Sequence, residues 1–234
     1  METRKLNPSH DTALTIFVGA SSKATNWENK ETTWSDLLNR CANTTKTKET
    51  LVQYLQMDKA KQSKIKDVGG FVGGYFATNG RRKKEGLIGR TVVTLDADNV
   101  KKDSNIWEGF KATFSFAACI YSTHKHTEEA PRLRIIIPLA DSTNVEQYEA
   151  VARYIADKIG MEYFDPTTFQ ASRLMFWPST PKDIDFFFDW QDGEILDPEE
   201  ILKKYKDWKD VSSWPMHKSE TPEAILNNKR KAPD

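Results

Sequence analysis

Residues 91–95, Thr-Val-Val-Thr-Leu, form an apolar, β-branched run that stops at Asp96-Ala-Asp98. Such a run reads as a buried strand, and it delivers two carboxylates at its end. Two further stretches have the same character. Residues 114–123 (FSFAACIYST) read as a strand ending beside His124-Lys-His126, and residues 132–138 (RLRIIIP) as one that begins basic and turns apolar. Between and after them lie helical patterns at 105–113 and 145–159, the second closed by Gly160. A strand–helix–strand–strand–helix series of this kind predicts an α/β (α+β) chain whose second half is RRM-like.

The remaining segments are shorter. Residues 14–18 (LTIFV) predict a first strand, Thr33 caps a helix beginning at Trp34, and 48–61 predict a second helix. Residues 69–74, GGFVGG, are too glycine-rich for regular structure and predict tight turns or close backbone approach. Arg81-Arg-Lys-Lys84 is a basic run. Residues 173–177 and 185–190 predict two late strands, and 198–205 a short helix capped by Asp197. From 207 onward the chain is polar and broken by Pro215, Pro222 and Pro233, which predicts a tail or linker.

Composition narrows the function classes. Among 234 residues the hydrophobic share is 38%, with 12 Phe, 7 Tyr and 7 Trp, enough to build a core and exclude global disorder. Lys+Arg and Asp+Glu both number 34, so a small, uniformly basic nucleic-acid coat is excluded, and any such contact must come from local clustering. Cys41 and Cys119 are far apart and form no CxxC unit, which argues against a thiolate zinc site or a disulfide framework. No apolar run is long enough to span a bilayer and 1–11 lack the apolar stretch of a signal peptide, so the expectation is a soluble, cytoplasmic protein.

Residues two apart on a strand share a face, so Asp96 and Asp98 converge. Paired carboxylates there are either a solvated strand end or a site for Mg²⁺ or Mn²⁺, which take hard oxygen ligands and suit phosphoryl transfer. Ser122 and His124 follow a buried strand, at the kind of sheet edge where ligands bind, and both can donate to a phosphate oxygen. Asp165 lies in a Phe-Asp-Pro turn, and Arg173 opens the strand eight residues later. Arg132 and Arg134 alternate onto one face; any of these arginines can balance the acids or hold a triphosphate. Arg81 and Arg82 are either a solvated loop or a clamp on template phosphates.

Three ordered signatures, Leu95–Asp98 (LDAD), Ser122–His124 (STH) and Phe164-Asp165, resemble the motifs of the archaeo-eukaryotic primase superfamily. The longer stretches GGFVGG, YSTHKHTEEAPRLRIIIPL, FDPTTFQASRLMFWPST and DWKDVSSWP are similar to the primase domains of phage and mobile-element primase–helicases. The resemblance runs over residues 66–215 and only loosely over 1–65. It implies a two-lobed primase–polymerase fold over 1–206, with an N-terminal lobe to about 90 and an RRM-like catalytic lobe over 91–206. It also implies a two-metal site (Mg²⁺ or Mn²⁺) on Asp96, Asp98 and Asp165, and nucleotide binding by Ser122, His124 and Arg173. The implied activity is nucleotidyl transfer of NTP or dNTP on a single-stranded DNA template during replication, with a replicative helicase as partner. Two rivals stand beside it. One is a rolling-circle nickase using His124 and His126 as an HxH metal site and Tyr154 as nucleophile. The other is a non-catalytic RRM-like single-strand binder stacking bases on exposed aromatic residues.

Overall fold

The computed structural model describes residues 5–230; residues 1–4 of the polar N-terminal stretch and 231–234 of the tail, with Pro233, lie outside them. In chain order the strands and helices are β1 (Ala13–Gly19), β2 (Glu28–Thr33), α1 (Trp34–Cys41), β3 (Thr45–Lys46), α2 (Leu51–Gln56), α3 (Lys59–Lys66), β4 (Gly70–Val72), β5 (Gly74–Phe76), β6 (Leu87–Ala97), α4 (Ile106–Thr113), β7 (Ala118–Ser122), β8 (Leu133–Thr143), α5 (Val145–Ile159), β9 (Met175–Phe176), β10 (Ser179–Thr180), β11 (Phe188–Gln191), α6 (Pro198–Leu202) and α7 (Pro222–Arg230). The fold is mixed α/β, and β6-α4-β7-β8-α5 is the RRM-like series the sequence predicts.

The central sheet has five strands in the order β11-β7-β8-β6-β5, paired antiparallel throughout. Its strands are apolar on both faces because both faces are covered. Val93, Leu95, Ile120 and Ile135 meet α4 and α5 through Trp107, Phe110, Val151 and Ile155. Val92, Cys119, Tyr121 and Ile136 meet α1 and β1 through Trp34, Leu38, Leu14 and Ile16. These eight sheet residues are fully buried, so at these positions β6, β7 and β8 offer no open face for stacking bases. Cys41 and Cys119 meet in the second core as free thiols, and burial holds the Cys119 thiol well above its usual range.

Local capping sets the helix starts. Thr33 accepts from the Asp36 N–H and Asp197 from the Glu199 N–H, both as predicted. Thr50 with Gln53, and Asn144 with Gln147, form capping boxes. The single helix expected over 48–61 is instead two, because Met57 turns extended and Asp58 caps a new helix at Lys59.

Two further expectations are corrected. GGFVGG is regular strand after all, with the close backbone approach expected of it: it supplies β4 to a four-stranded sheet and β5 to the central one. Its glycines are there for close approach, since a Cβ on Gly74 would lie 2.1 Å from the Gly89 carbonyl oxygen and one on Gly70 2.5 Å from that of Met175. The two larger sheets also exchange strands across residue 90. The second sheet runs β2-β1-β4-β9, so β9 crosses into the N-terminal sheet while β5 crosses into the central one. Finally, the stretch after 206 is not a free linker. Val211, Trp214 and Ile225 are buried in the core beneath α5, and Arg153 of α5 binds Glu220 bidentately at 2.8 and 2.9 Å. No helix among the described residues is long and apolar enough to cross a membrane.

Candidate active site

The centre of the site is a row across three strands. Asp96 of β6 faces Arg134 of β8, which faces Tyr121 of β7. The Arg134 guanidinium donates to Asp96 Oδ1 at 3.0 and 3.2 Å and to Oδ2 at 3.1 Å, and its other terminal nitrogen donates to the Phe176 carbonyl at 2.8 Å. Both side chains are buried. Burial pushes the Asp96 carboxyl up, while the guanidinium pulls it back; Asp96 in turn keeps Arg134 charged against its own burial. Asp98 falls one residue past the strand, on the same side, where Arg132 donates to it at 2.9 Å and both remain half-exposed.

Asp165 is brought in by backbone bonds. Its N–H donates to the Asp96 carbonyl at 3.0 Å, and the Asp96 N–H donates to the Thr168 hydroxyl at 2.8 Å. The Asp165 carboxylate caps the turn that begins at Pro166, and Arg173 approaches its other oxygen at 3.4 Å. Each of the three sequence-predicted acids thus has its own arginine. Asp96 and Asp98 line a cleft of about 620 Å³, and Asp165 is not part of that lining. Among the described residues no group of three or more His, Cys, Asp or Glu is gathered at metal-binding spacing. The two lining carboxylates nevertheless fit Mg²⁺ or Mn²⁺ as hard oxygen donors, since such ions are commonly held by one or two carboxylates plus substrate phosphates.

Six cationic side chains line the same cleft, Lys66, Arg82, Lys125, Arg132, Arg134 and Arg173. A chain with no net charge therefore concentrates positive charge at one place, as an anionic ligand requires. Burial lowers the Lys66 ammonium, helped by Lys125 and Arg134 and opposed by the acids. The loop carrying Arg173 is held by two other arginines: Arg90, fully buried, donates to the Ala171 carbonyl at 2.6 Å, and Arg82 donates to that of Ser172 at 2.9 Å. The basic run therefore divides. Arg82 is half-buried and turned into the cleft, whereas Arg81 is exposed and does not line it.

His124 lines the cleft and is buried, with Nδ1 2.9 Å from the Ser179 hydroxyl and Nε2 3.3 Å from Glu49 Oε1. Ser122 is elsewhere: its hydroxyl accepts from the Phe187 N–H, and it is 1% exposed, so it ties the loop ahead of β11 to β7 and does not face the cleft. His126 accepts the Arg132 N–H on Nδ1 and does not line the cleft, and Tyr154 packs on Tyr205. Of the three residues the nickase reading needs, His124, His126 and Tyr154, only His124 lines the cleft. Glu49, Lys66 and Lys125 were not legible as site residues. Lys125 sits inside the histidine stretch but carries no motif role of its own, and only long-range folding brings Glu49 and Lys66 to the sheet edge.

Comparison with known proteins adds the family. The sequence matches the VapE N-terminal domain over residues 1–217, and the chain belongs to that family. The match takes in the N-terminal 65 residues, where the motifs are faint, and the first part of the docked segment, to residue 217. The fold is also similar to the AEP domain of the primase-polymerase (PrimPol) of cyanophage S-2L, at 12% identity and a TM-score of 0.44, over 82% of this chain and 88% of that one. No curated protein matches the sequence.

Proposed function

We propose that this domain is a template-directed nucleotidyltransferase of the primase–polymerase type, which synthesises or extends primers on single-stranded DNA. The observation that carries this reading is the cleft itself: two carboxylates on one strand end facing six cationic side chains around a volume suited to a nucleotide. Asp96 and Asp98 would hold Mg²⁺ or Mn²⁺, with Asp165 the third acid if its Arg173 partner is drawn off. A metal held there would lower the pKa of the primer 3′-hydroxyl and offset charge on the pyrophosphate leaving group. Arg132, Arg134 and Arg173 would hold the triphosphate, and exchanging a carboxylate for a phosphate oxygen would keep each one paired. His124 and Lys66 complete the anionic subsite. Arg81 is the exposed candidate for template phosphates, and the replication of a phage or mobile element, with a helicase partner, is the setting the motifs suggest.

The test is incorporation of labelled NTPs and dNTPs on primed and unprimed single-stranded templates, with Mg²⁺ or Mn²⁺. Incorporation should require the metal, stop on chelation, and vanish in Asp98→Ala. Robust synthesis by Asp98→Ala, or none by the wild type with any nucleotide or metal, would overturn the reading.

A further inference from the structure

The six cations that line the cleft are of two kinds. Arg132, Arg134 and Arg173 each face a carboxylate, that of Asp98, Asp96 and Asp165 in turn. Lys66, Lys125 and Arg82 have no carboxylate at ion-pair distance among the described residues. Each lies over an aromatic ring instead: Lys66 over Phe176 at 5.2 Å, Lys125 over Tyr54 at 5.6 Å and Arg82 over Trp27 at 5.7 Å. A ring face holds a cation in place without neutralising it. These three therefore carry charge that no acid of the chain cancels by direct contact.

The fold sets them apart. Strand order β7-β8-β6-β5 puts the turn after β7, which carries Lys125, and the β5–β6 connection, which carries Arg82, on opposite sides of the Asp96–Arg134 row. The two lysines feel one another: burial lowers the Lys66 ammonium, and Lys125 lowers it further. Arg82 feels Arg173 instead, which adds to burial in lowering its guanidinium. The β5–β6 connection is pinned where Trp27 and Gly80 exchange backbone bonds at 2.9 and 2.7 Å. One terminal nitrogen of Arg82 donates to the Ser172 carbonyl at 2.9 Å, and the other has no acceptor among the described residues. Gln170 and Ser172 line the cleft beside it. This flank thus joins a fixed guanidinium with donor capacity to spare to two neutral polar side chains.

Both substrates of nucleotidyl transfer are anions. The donor is a triphosphate, and the acceptor strand carries backbone phosphates close to its 3′-hydroxyl. We propose that Arg82, with Gln170 and Ser172, forms a second anion subsite that holds a backbone phosphate of the acceptor strand, while Lys66 and Lys125 face the triphosphate from the other side of Asp96 and Asp98. This deepens the nucleotidyltransferase reading and rests on it for the identity of the two ligands, but binding of two anions at once can be measured without any reaction.

The experiment uses two probes with Mg²⁺ present: an α,β-methylene nucleoside triphosphate, which cannot react, and a thymidine dinucleotide with a 5′-phosphate. Calorimetry should show the dinucleotide binding as well to protein saturated with the triphosphate analogue as to free protein. Arg82→Gln should weaken the dinucleotide about tenfold or more, the loss expected with one hydrogen bond to a charged group, and leave the analogue unaffected. The double variant Lys66→Gln/Lys125→Gln should do the opposite. Arg82→Lys, which keeps the charge, should recover part of the dinucleotide affinity, whereas a loop merely loosened at Ser172 would weaken both ligands in both Arg82 variants. If Arg82→Gln fails to fold, Gln170→Ala carries the test, with a loss of about fivefold for the dinucleotide alone. Competition between the two probes, or equal weakening of both by Arg82→Gln, overturns the proposal. Joint binding by a wild type that incorporates no nucleotide would sink the nucleotidyltransferase reading and leave the two subsites standing; competition with incorporation intact would do the reverse.

Discussion

Asp96 and Asp98 are chemically alike and two residues apart, but the structure gives their removal very different costs. Asp96→Ala leaves Arg134 buried without its counter-ion. Deleting one member of a buried ion pair costs about 3–5 kcal/mol; because Arg134 keeps the Phe176 carbonyl and the Tyr121 hydroxyl as partners, the lower end, about 3 kcal/mol, applies. For a chain of this size that is a fall of roughly 6–12 °C in Tm. Asp98→Ala breaks a pair whose side chains are 34% and 37% exposed, which is worth at most about 1 kcal/mol. Considered only as neighbouring like charges, either deletion should relieve repulsion, so the sign for Asp96 comes from Arg134. The assay is thermal and urea unfolding of both variants beside nucleotide incorporation. Both should be inactive, with only Asp96→Ala destabilised. The double variant Asp96→Ala/Arg134→Met should regain most of the lost stability while remaining inactive. Equal unfolding midpoints for the two single variants would refute the ion-pair argument.

Further outcomes follow from the same geometry. Arg132→Gln removes the guanidinium 2.9 Å from Asp98, so nucleotide-free protein should bind Mn²⁺ about fivefold more tightly, as about 1 kcal/mol of repulsion at a solvated site is lifted; unchanged affinity by electron paramagnetic resonance would separate Asp98 from metal binding. Burial acts against Glu220 ionisation, but Arg153 outweighs it and holds the carboxyl below its usual range. That stabilisation is present above the unfolded value of about 4.3 and is lost as pH falls through the lower folded value. Glu220→Gln should therefore cost roughly 2 kcal/mol at pH 7 and converge on the wild type in acid, as unfolding curves across pH would show. Gly74→Ala places a Cβ 2.1 Å from the Gly89 carbonyl and should destabilise by about 1–3 kcal/mol; an unaltered melting temperature would contradict the close β5–β6 approach.

Sequence alone settled what depends on neighbours along the chain. The β-branched run before Asp96 is a strand because it cannot be solvated, two residues on one strand face alike, and Asn144, Thr33, Asp197 and Gly160 bound helices through bonds to residues a turn away. Tertiary structure decided whatever depends on partners distant in sequence. Strands β9 and β10 are two residues long, too short to carry a period, yet one joins the N-terminal sheet and the other holds Ser179 against His124. The segment after 206 reads as a linker because its anchors, Val211, Trp214 and Ile225, are sparse among polar residues and show no repeat; they dock because α5 offers an apolar face and Arg153 a buried charge. The same limit explains the site. The acids could be read from their spacing, whereas the arginine beside each one, the withdrawal of Ser122, and Glu49 beside His124 are set by strand register and long-range packing, which fix distances that no local pattern encodes.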